Sequence, residues 1–208
     1  MSWPTLPGGG RKVMRIIGLT GSIGMGKTTA AGFFRAAGLP VHDADAVVHR
    51  LYNGPAAAAV EAAFPGTARD GVIDRDRLAE AVLGDSQALK RLEAIVHPLV
   101  RQDERAFLKA AAEAGAAMAV LEIPLLFETG GENRCDAVVV VTAKPQTQRQ
   151  RVLKRPGMSE ERLDTLLARQ MPDAEKRRRA HFLVITDYDL DFANRQVTAI
   201  IRALAAST

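Results

Sequence analysis

The sequence predicts an α/β protein, three layers in an α/β/α arrangement around a parallel sheet. Short apolar runs rich in β-branched residues alternate with segments of helical spacing, the pattern of strand–crossover–strand units. The first run, residues 13–20 (VMRIIGLT), feeds a glycine-rich turn and then a helical stretch. The 208 residues exceed a domain of roughly 150, which leaves room for an insertion, and residues 46–115 have the alanine-rich, charged look of one.

The elements follow in order. Residues 2–10 (SWPTLPGGG) carry two prolines and three glycines without periodicity, so residues 1–13 are expected to be a flexible leader, with Met14 an alternative first residue. Residues 13–20 suit a buried parallel strand. Residues 27–37 read as a helix packed through Phe33 and Phe34, with Gly38 just past its end. Residues 39–42 (LPVH) form a second strand that ends at Asp43-Ala44-Asp45. Between 46 and 115, Gly54-Pro55, Pro65-Gly66, Gly71 and Gly84-Asp85 punctuate four or five expected short helices with no strand, and Pro98 is expected at a helix start. Residues 118–124 (MAVLEIP) and 136–141 (DAVVVV) return to strand character. Residues 145–155 form a helix, Ser159 caps the next, Pro172 breaks it, and a short basic helix follows. Residues 181–186 (HFLVIT) are the last strand and 191–206 the closing helix.

Composition excludes several classes. Hydrophobic residues are 47% and charged residues 25%, the balance of a folded globular chain rather than a disordered one. The longest apolar run, 116–127, is interrupted by Glu122 and Pro124 and falls short of the ~18 residues of a membrane span. The single cysteine, Cys135, supports neither a disulfide framework nor a cysteine metal cluster, and a cytoplasmic location is expected. The net charge of +4 is localised: residues 149–179 hold ten basic and five acidic residues, which leaves −1 for the rest. That patch fits an anionic ligand. Aromatic residues are 5% of the chain and reach the patch at its end, Phe182, which argues against a stacking surface for nucleic acid.

Residues 21–28, Gly-Ser-Ile-Gly-Met-Gly-Lys-Thr, match G-x-x-x-x-G-K-[ST] in full, between a strand and a helix. A nucleoside triphosphate needs several backbone N–H groups converging on its oxygens. Glycine removes side chains from that approach, and the helix behind offers its positive end. Gly21, Gly24, Met25, Gly26, Lys27, Thr28 and Thr29 are therefore the expected nucleotide-binding residues. Lys27 can reach the β and γ phosphates, and Thr28 offers an oxygen to Mg²⁺.

The loop alone does not name the acceptor. A guanine-reading motif is absent, since Thr142-Ala143-Lys144-Pro145 lacks its aspartate. Neither run 118–124 nor run 136–141 ends on an acid as in motor ATPases, and Glu122 lies inside its run. A small-molecule kinase remains. Asp43 and Asp45 stand at the sheet edge where α/β folds bind ligands, and hydroxyl kinases need a carboxylate to take the acceptor proton. For Asp43 alone, a helix N-cap and a catalytic role are both open; the pair beside a phosphate loop points to function. The basic stretch 149–179 fits a closing lid, with Arg151 and Arg155 four apart on one helix face. Arg177 to Arg179 read as solvated surface. His97-Pro98-Leu99 with Arg101 marks a candidate substrate pocket.

Taken together, these residues resemble the dephospho-CoA kinase family over residues 14–204. The likeness runs through Ile17-Gly18-Leu19-Thr20-Gly21, Asp43-Ala44-Asp45, Asp70-Gly71, Asp74-Arg75, Leu92-Glu93, His97-Pro98, and Pro124-Leu125-Leu126-Phe127-Glu128. It continues in Cys135 to Val141, Gln148 with Arg151, Gly157-Met158-Ser159 and Arg169-Gln170. The resemblance implies transfer of the γ phosphate of ATP to the ribose 3′-hydroxyl of dephospho-CoA, the last step of coenzyme A synthesis. It implies a P-loop nucleotide-kinase-like core (14–45, 116–150, 181–208), a helical substrate-binding insertion (46–115) and a lid (151–180). Gly24 to Thr29 would hold ATP. Asp45 would be the general base, with Asp43 assisting or taking that role, and Arg151 would clamp phosphates from the lid. His97, Arg101, Pro124, Leu125 and Glu128 would lie near the acceptor.

The sequence departs from the family at Ser22, Met25, His181 and Thr186-Asp187. The last pair leaves the contacts to the base, and hence the choice of ATP over GTP, open. Another small-molecule kinase of this fold and a nucleotide-gated nucleic-acid module are the alternative readings. Both a monomer and a small homo-oligomer are compatible with the chain.

Overall fold

The computed structural model describes residues 14–206, and the expected leader 1–13 lies outside the described residues. Five parallel strands form the central sheet: β1 (Arg15–Thr20), β2 (Val41–Asp43), β5 (Met118–Glu122), β6 (Ala137–Thr142) and β7 (Phe182–Ile185). Their spatial order is β2-β5-β1-β6-β7. Parallel neighbours need crossovers, and the helices supply them on both faces.

The period of two along each strand decides the layers. Ile17, Leu19, Val120, Val139 and Val141 face α1 (Lys27–Ala36) and α9 (Leu190–Ala206), where Phe34, Val197 and Ile200 complete one core. Val138 and Val140 face the other way, onto Leu126, Phe127, Met171 and Leu183. Each fully buried side chain of this size contributes about 1.5–3 kcal/mol.

Between β2 and β5 the chain forms a helical lobe: α2 (Ala44–Tyr52), α3 (Ala57–Ala63), α4 (Arg75–Val82) and α5 (Ser86–Glu113). The lobe has a core of its own, built on Val47, Leu51, Val60, Phe64, Leu78, Leu92 and Val96. Three aspartates start its helices. Asp43 caps α2 through the Ala46 N–H, Asp74 caps α4, and Asp85 caps α5. The N–H groups of Ala88 and Gln87 hold the Asp85 carboxyl below the usual carboxylate range.

Two expectations for this lobe need correction. It contains a small hairpin, β3 (Ala68–Arg69) with β4 (Val72–Ile73), turning at Asp70-Gly71, both at positive φ. Glu61 accepts from the N–H groups of Gly66 and Ala68, which steadies the hairpin's entry and lowers the Glu61 carboxyl's pKa. The last helix is not short. It runs for 28 residues with Pro98 inside it rather than at its start. Proline removes the bond to the Ala94 carbonyl, but Ala94 and Pro98 are both exposed, so water can reach the freed oxygen.

Beyond β6, α6 (Pro145–Leu153), α7 (Glu160–Ala168) and α8 (Asp173–Arg179) carry the basic stretch. Helix α6 stops at Leu153, so Arg155 lies past its end rather than on the helix with Arg151, while both side chains still line one cleft. Ser159 caps α7 through the Arg162 N–H, as expected.

Candidate active site

The phosphate-binding loop joins β1 to α1 at the C-terminal edge of the sheet. Gly24 (φ 78°) and Gly26 (φ 88°) adopt left-handed backbone, which glycine alone enters without cost. A Cβ on Gly21 would stand 2.6 Å from the Val141 carbonyl oxygen, so this position tolerates no side chain. Met25 is buried, and its sulfur accepts from the Ala143 N–H at 3.1 Å. Met25 thus anchors the loop to the end of β6 by its side chain. Thr28 and Thr29 are exposed at the first turn of α1. Gln148 and Gln170 bracket the loop from outside, bonding the Ile23 carbonyl and N–H respectively.

Lys27 Nζ donates to Glu122 Oε1 at 2.8 Å. Glu122 is 1% exposed, and its second oxygen lies 3.5 Å from Arg35 with no hydrogen bond among the described residues. The sequence reading missed Glu122 because it placed the strand end at Pro124. β5 ends at Glu122, so the acid stands at the strand terminus after all. The detectable signal was Pro124 two residues on, which cannot continue a ladder in a central strand. Across the β2–β5 ladder Glu122 is paired with Asp43. The end of β2 and the start of α2 thereby bring Asp43 and Asp45 to the loop's side of the edge. Asp43 Oδ1 accepts from Ala46 N at 3.0 Å, so its capping role is real. Asp45 is exposed in the first turn and makes no side-chain hydrogen bond among the described residues.

A cleft of about 300 Å³ opens beside the loop, lined by Gly24, Gly26, Thr29, Arg151, Thr186 and Tyr188 among others. Arg151 forms its wall, donating to Thr186 Oγ1 at 2.8 Å and to the Thr186 carbonyl. Thr186 Oγ1 in turn donates to the Met25 carbonyl. Asp187 accepts from Lys144 N and Thr147 Oγ1 and so closes the start of α6. Thr186 and Asp187 are thus both engaged in holding the cleft together. Tyr188 and Leu190 expose most of their surface at its mouth.

Pro124, Leu125 and Glu128 follow β5. The Pro124 carbonyl accepts from Thr20 Oγ1 at 2.9 Å and from Lys176 Nζ at 3.4 Å. Leu125 is 38% exposed. Glu128 pairs with Lys176 at 2.9 Å and accepts from Met171 N at 2.7 Å; its second oxygen is buried with no hydrogen bond among the described residues. Lys176 is fully buried on α8, which the sequence reading had passed over among solvated arginines. His97 and Arg101 lie apart from these groups, in an open groove of about 520 Å³ on α5 that also includes Lys90, Pro98 and Arg105. Burial pushes the Cys135 thiol up to about 12, so it is no nucleophile at neutral pH.

The arrangement can bind a triphosphate, bring cations to its transferring end and offer carboxylates to a hydroxyl acceptor. A Mg²⁺ ion fits it. Such ions keep several waters and take one or two side chains plus phosphate oxygens. The exposed Thr28 hydroxyl and the Glu122 oxygen that faces Lys27 are the groups that fit that set. No cluster of three or more acidic, His or Cys ligands occurs among the described residues.

Comparison with known proteins points the same way. The family profile described as CoaE, dephospho-CoA kinase, matches residues 15–191. The dephospho-CoA kinase of Mesorhizobium japonicum is 61% identical over 191 residues, spanning 92% of this chain and 97% of the relative. That of Rhodopseudomonas palustris strain HaA2 is 58% identical over 192 residues, 92% of this chain and 96% of the relative. Among solved structures, TT1252 from Thermus thermophilus superposes with a TM-score of 0.80 at 37% identity, over 92% of this chain and 98% of the other.

Proposed function

The chain belongs to the dephospho-CoA kinase family, and from that premise we propose how its residues divide the work. It phosphorylates dephospho-CoA with ATP in the final step of coenzyme A synthesis. The observation that carries the assignment is the contact of Lys27 with buried Glu122, opposite Asp43 on the neighbouring strand.

The N–H groups from Gly24 to Thr29 cradle the phosphates, and Lys27 shifts its charge from Glu122 toward the transferring group. Arg35, already 3.5 Å from Glu122, keeps that carboxylate compensated as Lys27 moves. Thr28 and Glu122 would hold Mg²⁺, the carboxylate through water, and a bound ion would supply positive charge to offset that of the triphosphate. Asp45 takes the proton of the ribose 3′-hydroxyl, and Asp43 orients it. With no side-chain hydrogen bond among the described residues, Asp45 can follow the acceptor, whereas Asp43 is held by its cap. Arg151 reaches the phosphates from the cleft wall. The helical lobe carries the acceptor, with His97 and Arg101 meeting its phosphates and Pro124, Leu125 and Glu128 flanking its nucleoside end. The stretch 151–180 closes over both substrates. No helix among the described residues is long and apolar enough to cross a membrane, and we place the reaction in the cytoplasm.

Glu122→Gln tests the carrying observation. It keeps the side chain's size and its neighbours but removes the charge. Losing an outer ligand of this kind costs about 10–100-fold in metal affinity or activity. The expected result is a rise of that order in the Mg²⁺ concentration giving half-maximal rate. An unchanged Mg²⁺ dependence would reduce Glu122 to a fold-stabilising acid.

A further inference from the structure

We propose that His42 is a positioning residue: it seats the helical lobe on the strand that carries Asp43, and thereby sets where the acceptor hydroxyl meets the carboxylates. The proposal rests on the reading that the lobe carries the acceptor.

His42 is the middle residue of β2 and pairs with Leu121. Neighbouring side chains on a strand point to opposite faces, so His42 turns away from Asp43 and toward α5. There it makes two contacts one helical turn apart. Nε2 lies 2.9 Å from Asp103 Oδ1, and the ring packs on Phe107 at 5.2 Å between centroids. Asp103 spends its other oxygen on Arg50 Nη2 at 2.9 Å. Arg50 stands in the last turn of α2, the helix whose first turn contains Asp45 and whose N-cap is Asp43. Helix α2 is therefore held at both ends by consecutive residues of one strand, Asp43 directly and His42 through Asp103 and Arg50.

Stability alone does not account for an imidazole here. His42 is 5% exposed, and its Nδ1 has no hydrogen-bond partner among the described residues. Leu121, Val138 and Val140 on this face of the sheet are apolar, and the buried Thr20 and Thr142 beside them each have a hydrogen bond, to the Pro124 carbonyl and to Asp173. A valine or isoleucine would fill the site without an unpaired ring nitrogen, and burying such a group is a net cost. What the imidazole adds is direction. With the proton on Nε2 it donates to Asp103 and leaves Nδ1 as a bare lone pair, which is less costly than an unpaired N–H. An apolar contact lets a helix slide; this bond fixes its register. Nearby, buried Glu104 holds α5 to the 3-10 turn Gly131–Arg134 through a two-pronged bond to Arg134. His42 is the pin beside the reacting groups.

The test compares His42→Leu and His42→Gln in the full chain, measuring kcat, KM for dephospho-CoA, Kd for ATP and melting temperature. A small misplacement of reacting groups costs up to about 10²-fold in rate. The expected result for His42→Leu is a fall in kcat approaching that size with a raised KM for dephospho-CoA and an unchanged Kd for ATP. His42→Gln, whose amide N–H stands near the Nε2 position, restores most of both. A lower melting temperature with normal kcat and KM overturns the proposal, as does an equal loss in Leu and Gln. If His42→Leu does not fold, Arg50→Met on the exposed side of the same chain of bonds is expected to raise KM for dephospho-CoA, and an unchanged KM there overturns the proposal. Arg101→Ala run in parallel separates the two readings. Its unchanged KM for dephospho-CoA counts against acceptor binding by the lobe. A raised KM in Arg101→Ala with none in His42→Leu sinks the role of His42 alone.

Discussion

Asp45→Asn is expected to lower kcat by about 10²–10⁴, with the melting temperature and the Kd for ATP unchanged. The substitution removes a charge and a proton acceptor and little else. Asp45 is exposed, makes no side-chain hydrogen bond among the described residues and packs against no core. Phosphoryl transfer through a loose transition state asks more for orientation than for base strength. Asp43→Asn is the matched control. Asparagine caps a helix as well as aspartate does, so the bond to Ala46 N survives and the charge alone is lost. A near-normal kcat in Asp45→Asn with a large loss in Asp43→Asn moves the base to Asp43. Near-normal rates in both remove general-base catalysis by this pair.

Much of this site was legible because its chemistry constrains the backbone. A loop that must present N–H groups to phosphates leaves a fixed glycine pattern, and residues 21–28 display it in full. The sheet strands were legible for the same kind of reason: a parallel strand buried on both faces reads as a continuous apolar run. What escaped notice depended on partners distant in sequence. Glu122 was hidden because Ile123 and Pro124 prolong the apolar run past the true strand end; its importance comes from Lys27, 95 residues away. Lys176 looked like one of four consecutive cations, and nothing local says that this one turns inward to Glu128. The hairpin strands are two residues each, too short to show alternation. Proline usually marks a helix boundary, whereas the long helix tolerates Pro98 on a face open to water. His42 looked like the end of an apolar strand, and its meaning lies in Asp103 and Phe107 across the lobe.

Lys176→Met is expected to destabilise the fold by about 3–5 kcal/mol, the usual cost of removing one member of a buried ion pair. Lys176 is fully buried and Glu128 is 16% exposed in its side chain. Without the ammonium, Glu128 keeps the Met171 N–H but loses its counter-charge, and the Pro124 carbonyl loses its second donor. The double variant Lys176→Met/Glu128→Leu removes the stranded charge along with its partner. Replacing a whole buried pair by apolar residues is often neutral or stabilising, so the double variant should recover most of the loss in denaturant unfolding. Equal destabilisation in both would show that the pair matters through packing and not through charge. The same double variant bears on the acceptor. If Glu128 contacts dephospho-CoA, the refolded protein keeps its affinity for ATP and shows a raised KM for dephospho-CoA. If Glu128 serves to fasten α8 beneath the loop after β5, both constants stay near those of the unaltered chain. The pair would then belong to the frame of the site, and Leu125, exposed on that loop, would be left as its contact with the acceptor.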